Sequence, residues 1–150
     1  MEDRFLTKLL ENQYCPEEID SLAITFVEYN VLLSEFKNLE QSDKAKAYDI
    51  SIRAIAWQDW FNAQLNSVGY IIKALDAEKN TLIASEVKNS GERSFTKAEK
   101  IANGSEAAET IRKKKAIAEA IYGLLDARIK TLEKIFYFCR GLSNGSDSPQ

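Results

Sequence analysis

The residues with the clearest capacity for chemistry are basic and lie together in the second half of the chain. Between residues 88 and 115, eight Lys or Arg stand against four Asp or Glu, in a 150-residue chain whose total charge is −3. Residues 1–75, by contrast, carry seven basic and twelve acidic residues. A polyanion is therefore expected to bind the basic window and not the N-terminal half. The basic residues of the window are Lys88, Arg93, Lys97, Lys100, Arg112, Lys113, Lys114 and Lys115.

The chemistry expected of these groups is the neutralisation of phosphates, which is sensitive to salt and nearly independent of nucleotide sequence. Four consecutive helical residues span about 300° of arc, so only two or three residues of the run 112–115 can reach one phosphate backbone together. Lys97 and Lys100 lie one turn apart on a shared face. Lys88 and Arg93 flank the turn before them, so a chain that folds back here brings these groups into one patch. The alternative is a solvated helix face that binds nothing.

Aromatic side chains offer a second kind of contact, because single-stranded nucleic acid stacks its bases on aromatic rings. Tyr70, Phe95 and Tyr122 are candidates by position, and Phe95 lies among the basic residues. The pattern favours a different role for Phe95, that of a hydrophobic staple at the start of a helix. Two other aromatic clusters predict packing in a core or, in part, in an oligomer interface. Their candidate interface residues are Trp57, Trp60, Phe61, Phe136 and Tyr137.

The composition excludes several classes of active site. The chain has no histidine, which removes the commonest general base, the commonest metal ligand and the usual catalytic triads. No phosphate-binding glycine motif or nucleophile elbow occurs. We therefore expect no enzyme activity, no cofactor and no metal. Cys15 and Cys139 are expected to be reduced, and the absence of a signal peptide or an apolar membrane span predicts a cytoplasmic protein.

The elements that must position these residues are long helices. The fifty-two residues between Pro16 and Gly69 contain neither proline nor glycine, the two strongest helix breakers. The predicted helices cover about 3–13, 16–40, 44–88, 97–103 and 106–140, with Gly104 and Gly141 as stops. At 41–43 we favour a break, capped by Ser42 or Asp43, over a continuous helix. Thr96 with Glu99 predicts a capping box, and Ser105 a cap for the last helix.

Apolar residues recur along these helices at helical spacing. The predicted faces are Ile19, Leu22, Phe26, Leu33 and Phe36 on the first long helix; Ile50, Ala54, Trp57, Phe61, Val68, Ile72, Leu75 and Leu82 on the second, with a further stripe at Ile52, Ile55, Ala56, Trp60 and Ile71; and Ala107, Ile111, Lys114, Ala118, Ile121, Leu125, Arg128, Leu132, Ile135 and Cys139 on the last. Faces this broad need more than one neighbour. The sequence thus predicts an all-α fold of long helices in an extended hairpin or bundle, with coiled-coil-like packing completed by oligomerisation. One domain is expected over 1–142, followed by a disordered polar tail at 143–150.

The C-terminal half has a distinctive order of elements. A turn with basic flanks, 88–93, leads into a short helical segment, 94–102, and then into a long helix that carries Leu124-Leu125-Asp126-Ala127-Arg128 and Leu132. In layout and helix register, residues 70–142 resemble the UvsY-type recombination mediators of tailed phages. The resemblance implies a homo-oligomeric helical protein that binds single-stranded DNA through basic residues near the turn, with Lys88 and Arg93 as first choices. It also implies partners: a RecA-like recombinase, loaded onto DNA that is coated by single-strand-binding protein.

Two functions are therefore expected from the sequence. The first is a non-catalytic accessory protein of DNA recombination that binds single-stranded DNA through the basic window, in the host cytoplasm if a phage encodes it. The alternative is a helical scaffold or inhibitor that captures another protein. The aromatic clusters and the acidic N-terminal half motivate this alternative.

Overall fold

The structure, a computed structural model, describes residues 16–145, with side chains described from residue 27. Four helices follow one another in this range: α1 (Pro16–Lys37), α2 (Lys44–Asn89), α3 (Phe95–Asn103) and α4 (Glu106–Asn144). The described residues contain no strand, and α2 packs against α4. The prediction of an all-α fold built on long helices is confirmed. The predicted helix 3–13 and residues 146–150 of the predicted tail lie outside the described residues.

The predicted break between the first two long helices is confirmed, and Asp43 is its cap. Asp43 Oδ1 accepts a hydrogen bond from the backbone N–H of Lys46 at 2.9 Å, and its carbonyl accepts one from Ala47 N–H at 3.0 Å. These bonds satisfy N–H groups that have no partner within the first turn of α2. Ser42, the other candidate, contributes only its backbone carbonyl, which accepts from Lys44 N–H. The short connection 38–43 therefore reverses the chain without proline or glycine.

The predicted start of α3 is wrong by two residues. Ser94 is the cap: its hydroxyl accepts from Lys97 N–H at 3.5 Å, and its carbonyl accepts from Ala98 N–H at 3.0 Å. Thr96 lies inside the helix, so the expected Thr96–Glu99 capping box does not form. The serine three residues before Lys97 takes precedence, because its extended backbone is the geometry that a cap requires. The predicted cap of α4 is confirmed, since Ser105 Oγ accepts from Ala108 N–H at 3.2 Å.

The two predicted glycine stops have different outcomes. Gly104 ends α3 as predicted, but with a φ of −89° and hence without the left-handed conformation expected of it. Gly141 does not end α4, which continues to Asn144. A glycine in a helix costs only about 1 kcal/mol relative to alanine, and the half-buried Leu142 beyond it continues the packing. Residues 143 and 144 therefore belong to α4 and not to a tail.

The first of two compact units contains α1, α2 as far as Phe61, and α4 from Arg128 onward. Tyr29 and Phe61 meet edge to face in its core, with ring centroids 5.8 Å apart. The Arg128 guanidinium lies 5.0 Å from the Tyr29 ring, and burial lowers the pKa of Arg128 and raises that of Tyr29. The core residues of this unit are Tyr29, Leu32, Ala47, Ile50, Ala54, Phe61, Ile129, Leu132, Ile135 and Cys139.

The apolar face predicted for α1 is only partly the one observed. Tyr29 and Leu32 are fully buried, whereas the predicted Leu33 and Phe36 are half-buried. Phe36 instead contacts the Phe138 ring at 5.6 Å. The side chains of Ile19, Leu22 and Phe26 lie outside the described residues. Tyr29 continues the predicted spacing, three residues after Phe26 and four before Leu33, whereas Leu32 takes the buried place expected of Leu33.

The second unit, Asn62–Ala127, contains the rest of α2, all of α3 and the first half of α4. Its core residues are Val68, Leu75, Ala98, Ala102, Ala108, Ile111, Ala118, Ile121 and Leu125. Most of the predicted α4 face is thus confirmed. Ala107 is exposed and Ala108 buried instead, while Lys114 is exposed. No helix in the described part of the chain combines the length and the apolarity needed to cross a membrane.

The cap of α2 yields a prediction for stability. Asp43→Ala leaves the first turn of α2 without its acceptor and is expected to lower the free energy of unfolding by about 0.5–2 kcal/mol. Ser42→Ala, the adjacent control, is expected to stay within about 0.5 kcal/mol of the wild type. Urea denaturation at one fixed protein concentration measures both. A loss in Ser42→Ala as large as that in Asp43→Ala would contradict the assignment of the cap.

Candidate nucleic-acid interface

The turn between α2 and α3 is held by its own polar groups. Gly91, with a φ of 65°, is the one glycine of the described residues in the left-handed region. The Glu92 carboxylate accepts from the backbone N–H groups of Arg93 and Ser94 at 3.1 and 3.4 Å. It also pairs with Lys97 Nζ at 3.1 Å. The turn is thereby fixed, and α3 lies beside the last turns of α2.

An open groove of about 600 Å³ runs between these two helices. We call it the α2–α3 groove. Ile83, Ala84 and Val87 give it an apolar wall, and lysines from two turns of α2 line it as well. Asn80 of α2 and one face of α3 complete the lining. The polar and aromatic lining residues are Lys79, Asn80, Lys88, Phe95, Glu99 and Asn103.

Phe95 is the most distinctive residue of the groove. It is 69% exposed and occupies the first position of α3. A hydrophobic staple requires a buried residue before the helix, so the staple interpretation of Phe95 is wrong. An aromatic ring that a folded protein leaves this exposed beside two lysines is available to stack against a flat ligand.

Of the four predicted basic residues before α4, the structure places only Lys88 in the lining of this groove. Arg93 lies in the turn between α2 and α3. Lys97 and Lys100 are exposed on α3, away from the buried Ala98 and Ala102. No described residue forms an ion pair with Lys88 or Lys100. Within the described structure, both ammonium groups are therefore available to an external anion.

The basic run at the start of α4 is largely occupied by partners within the chain. Arg112 Nη1 donates to the carbonyl of Asn103 at 2.8 Å, which ties α4 to the end of α3. Lys113 pairs with Glu109 at 2.9 Å, one turn earlier. Lys115 Nζ donates to both carboxylate oxygens of one acid, at 2.7 and 2.9 Å. That acid is Asp76 of α2.

Lys114 is separated from the rest of the run. It lines a second groove, of about 630 Å³, between α2 and α4, together with Glu78, Thr81 and Ile111. Four consecutive basic residues thus point to four different surroundings, as the 100° step of the helix requires. Residues 112–115 therefore do not form one cationic surface, and three of them make contacts within this unit.

The pKa values of the paired groups follow these contacts. The hydrogen bond from Lys113 holds the pKa of Glu109 below its usual value. The hydrogen bond to Asp76 raises the pKa of Lys115 above its usual 10.5. Both shifts favour the charged forms, so Glu109 and Lys115 are charged throughout the neutral range.

The remaining candidates divide between core and surface. Phe61 is fully buried in the first unit, whereas Tyr137 is 66% exposed. Trp57, Trp60 and Phe136 are half-buried. Tyr70 and Tyr122 are exposed but do not line the α2–α3 groove. The Tyr122 ring lies 3.5 Å from the position of a Cβ at Gly69, so this glycine marks a close approach of α2 and α4.

Sequence reasoning missed Lys79 and Asn80, which line the groove from α2. A usable signal existed: Lys79, Ile83 and Val87 lie at i, i+4 and i+8 and therefore share a face. Among the described residues, no three His, Cys, Asp or Glu lie where they hold a metal ion together. No known family, curated protein or solved structure matches this chain.

The Lys115–Asp76 pair gives a prediction with a defined sign. Asp76→Asn removes the acceptor that raises the pKa of Lys115, so that pKa is expected to fall toward 10.5. Because the folded-state pKa of Lys115 is raised, the stability gained from the pair is present between neutral pH and about pH 10 and is lost as the pH rises through the folded-state value. An NMR titration of the lysine Nζ region measures the shift. Glu78→Gln, which removes a nearby carboxylate without touching Lys115, is the control, and an equal shift in both variants would refute this cause.

Proposed function

We propose that this chain is a non-catalytic accessory protein of DNA recombination that binds single-stranded DNA along the α2–α3 groove. One observation carries the proposal: an exposed aromatic ring, Phe95, shares an open groove with two lysines, Lys79 and Lys88. Proteins that bind single strands without sequence preference combine these two features, a cationic groove and an aromatic platform.

Each part of the groove has a distinct task in this proposal. Lys79 and Lys88 neutralise phosphates and release counterions, which supplies affinity without sequence preference. Phe95 stacks on a base, which a duplex keeps covered by its neighbours and a single strand exposes. The exposed Asn80 amide offers one acceptor and two donors to a base or sugar. Arg93, in the turn before α3, and Lys100, on the exposed side of α3, extend the cationic path beyond the groove.

Acidic neighbours limit the strength of the interaction. Glu99 lines the same groove, and Glu92 is engaged by Lys97. The chain as a whole is acidic. We therefore expect affinity that is modest at physiological salt and falls steeply as salt rises. Such reversible binding suits a protein that must release the single strand so that a second protein can bind it.

The place in recombination rests on the resemblance of residues 70–142 to the UvsY-type mediators. In this proposal the protein holds a strand coated by single-strand-binding protein and helps a RecA-like recombinase to load. This loading takes place in the host cytoplasm if a phage encodes the chain. No bond is made or broken by the protein itself, and it needs no cofactor.

A second candidate function is the capture of another protein. Two adjacent aromatic residues near the end of α4, Tyr137 and Phe138, are 66% and 49% exposed. Exposed aromatic groups of this kind are enriched in protein interfaces. A scaffold or inhibitor would hold a partner here with an affinity that does not respond to single-stranded DNA.

The two groove lysines provide the first test. The intact protein is expected to bind an unstructured single-stranded oligonucleotide at about 50 mM salt and to release it as the salt concentration approaches about 200 mM. Lys79→Ala with Lys88→Ala removes two phosphate contacts and is expected to flatten the slope of log affinity against log salt by about 1.4. Fluorescence anisotropy at several salt concentrations measures the slope.

The matched control for these lysines removes the same net charge elsewhere. Lys37→Ala with Lys134→Ala changes two exposed lysines of the first unit and is expected to leave the slope unchanged. Equal losses in the two double variants would mean that net charge alone attracts DNA. Absence of any binding by the intact protein at low salt would end the proposal.

Phe95 provides the second test, because stacking is not an electrostatic effect. Phe95→Ala is expected to weaken binding by about 1–3 kcal/mol, or about 5- to 150-fold, with an unchanged salt slope. Phe95→Trp is expected to retain affinity. Tyr70→Ala removes an aromatic ring that is even more exposed, at 75%, but lies outside the groove. If Tyr70→Ala weakened binding as much as Phe95→Ala, the groove would not be the stacking site.

A further inference from the structure

The two helices that form the α2–α3 groove contribute different chemistry to it. Both lysines of the lining, Lys79 and Lys88, come from α2, whereas the lining residues of α3 are Phe95, Glu99 and Asn103. These three α3 residues recur at intervals of four and therefore share one face of the helix. An acidic side chain thus lines the same space as the two lysines and the exposed aromatic ring.

The carboxylate of Glu99 is available to a ligand. Glu99 is exposed, and no described residue forms an ion pair with its carboxylate. Only its backbone carbonyl is engaged, by a hydrogen bond from Asn103 Nδ2 at 3.0 Å. The acid of the preceding turn, Glu92, is by contrast paired with Lys97 at 3.1 Å. Glu99 therefore keeps both carboxylate oxygens as acceptors for a group that enters the groove.

Helix α3 holds Phe95 and Glu99 in a fixed relation. Ser94 caps its first turn, and its last turn is tied to α4 by the hydrogen bond from Arg112 to the Asn103 carbonyl at 2.8 Å. Over the four residues from Phe95 to Glu99 the helix rises about 6 Å. A base that stacks on the Phe95 ring therefore has its edge near the Glu99 carboxylate, one turn further along α3.

Charge decides which part of a single strand lies against which helix. A phosphate is attracted by Lys79 and Lys88 of α2 and repelled by Glu99 of α3. A base carries no net charge, and its N–H groups are hydrogen-bond donors that a carboxylate accepts. A strand in the groove therefore lies with its phosphates toward α2 and its bases toward α3, where Phe95 offers a ring for stacking.

We propose that Glu99 gives this groove a preference for guanine, an inference that rests on the proposed binding of single-stranded DNA. Guanine is the one DNA base whose Watson–Crick edge has two adjacent donors, N1–H and the N2 amino group. Each donates to one oxygen of the carboxylate, and hydrogen bonds to a charged acceptor are stronger than neutral ones. A single strand leaves this edge free, whereas a duplex uses it for base pairing.

The other three bases offer a carboxylate less. Adenine and cytosine have an acceptor nitrogen beside their amino group, and the N3–H of thymine lies between two carbonyl oxygens. The second carboxylate oxygen repels each of these acceptors. A bidentate contact discriminates between bases by about 5-fold or more. Because the groove is open to water, we expect a preference at the lower end of that range, about 5-fold.

Competition with pentanucleotides tests the preference in the wild-type protein. Each pentanucleotide has four thymines and one central base: thymine, cytosine, adenine, hypoxanthine or guanine. Unlabelled pentanucleotides displace a fluorescent oligothymidylate at about 50 mM salt, where binding is expected. Guanine is expected to compete about 5-fold more strongly than hypoxanthine, which is guanine without the N2 amino group. Adenine shows how much a purine gains from stacking alone.

Two variants test whether Glu99 is the residue that reads the base. Glu99→Gln replaces one acceptor by a donor and is expected to make guanine and hypoxanthine compete equally. It is also expected to bind oligothymidylate at least as tightly as the wild type, because a charge that repels phosphate is gone. Glu78→Gln removes the same charge from an exposed position outside the α2–α3 groove and is expected to retain the preference. Circular dichroism checks that both variants remain helical.

The possible outcomes separate this inference from the proposed function. Equal competition by guanine and hypoxanthine, in a wild type that binds oligothymidylate, would overturn the guanine preference and leave the proposed function standing. Adenine that competes as well as guanine would mean that purine stacking is the cause, and would also overturn it. A guanine preference that persists in Glu99→Gln would refute the role of Glu99. A wild type that binds no oligothymidylate would end both proposals.

Discussion

The structure depends on the uninterrupted backbone of α2. Its 46 residues form one helix because no proline breaks the hydrogen-bond ladder and the single glycine within it, Gly69, costs less than the surrounding packing supplies. A helix this long passes through both compact units and has apolar residues on more of its surface than α4 covers. Burial of Ile50, Phe61 and Leu75 holds the inner face. What remains outside this contact is an exposed stripe with Ile52 and Ala56 in the first unit and the wall of the α2–α3 groove in the second.

The groove exists because the end of α2 is joined to α3 by a rigid turn. Glu92 organises that turn through two backbone N–H groups and Lys97, and Gly91 adopts a left-handed conformation there. The buried side chains of Ala98 and Ala102 pack the inner face of α3. Phe95, outside this packed face, lies beside Lys79 and Lys88 of α2. The basic run of α4 has a different task in the same unit: Arg112 and Lys115 tie α4 to α3 and α2. Charge density along the sequence is thus a poor guide to which lysines line the α2–α3 groove.

The features that could be predicted from the sequence are those fixed by local chemistry. The break at 41–43 and the turn at 88–93 predict the ends of α2 almost to the residue, and Ser105 predicts the start of α4. The spacing of Ile111, Ala118, Ile121 and Leu125 predicts the buried face of α4. Other features depend on contacts between distant residues. Ser94 and Thr96 are both acceptable caps by type, and only the backbone around Ser94 decides between them. Gly141 looks like a stop, but helix packing continues past it. Lys79 joins the groove only because the turn at Gly91 brings α3 alongside it.

The central claim is that single-stranded DNA lies in the α2–α3 groove. Titration of the isotopically labelled protein with a short oligothymidylate, followed by backbone amide NMR, tests it most directly. The account predicts that the amide signals that move first and furthest come from residues 79–88 of α2 and 93–103 around α3, and that they return as salt is added. Movement confined to residues 112–115 of α4 or to the first unit, with the groove signals unchanged, would contradict it.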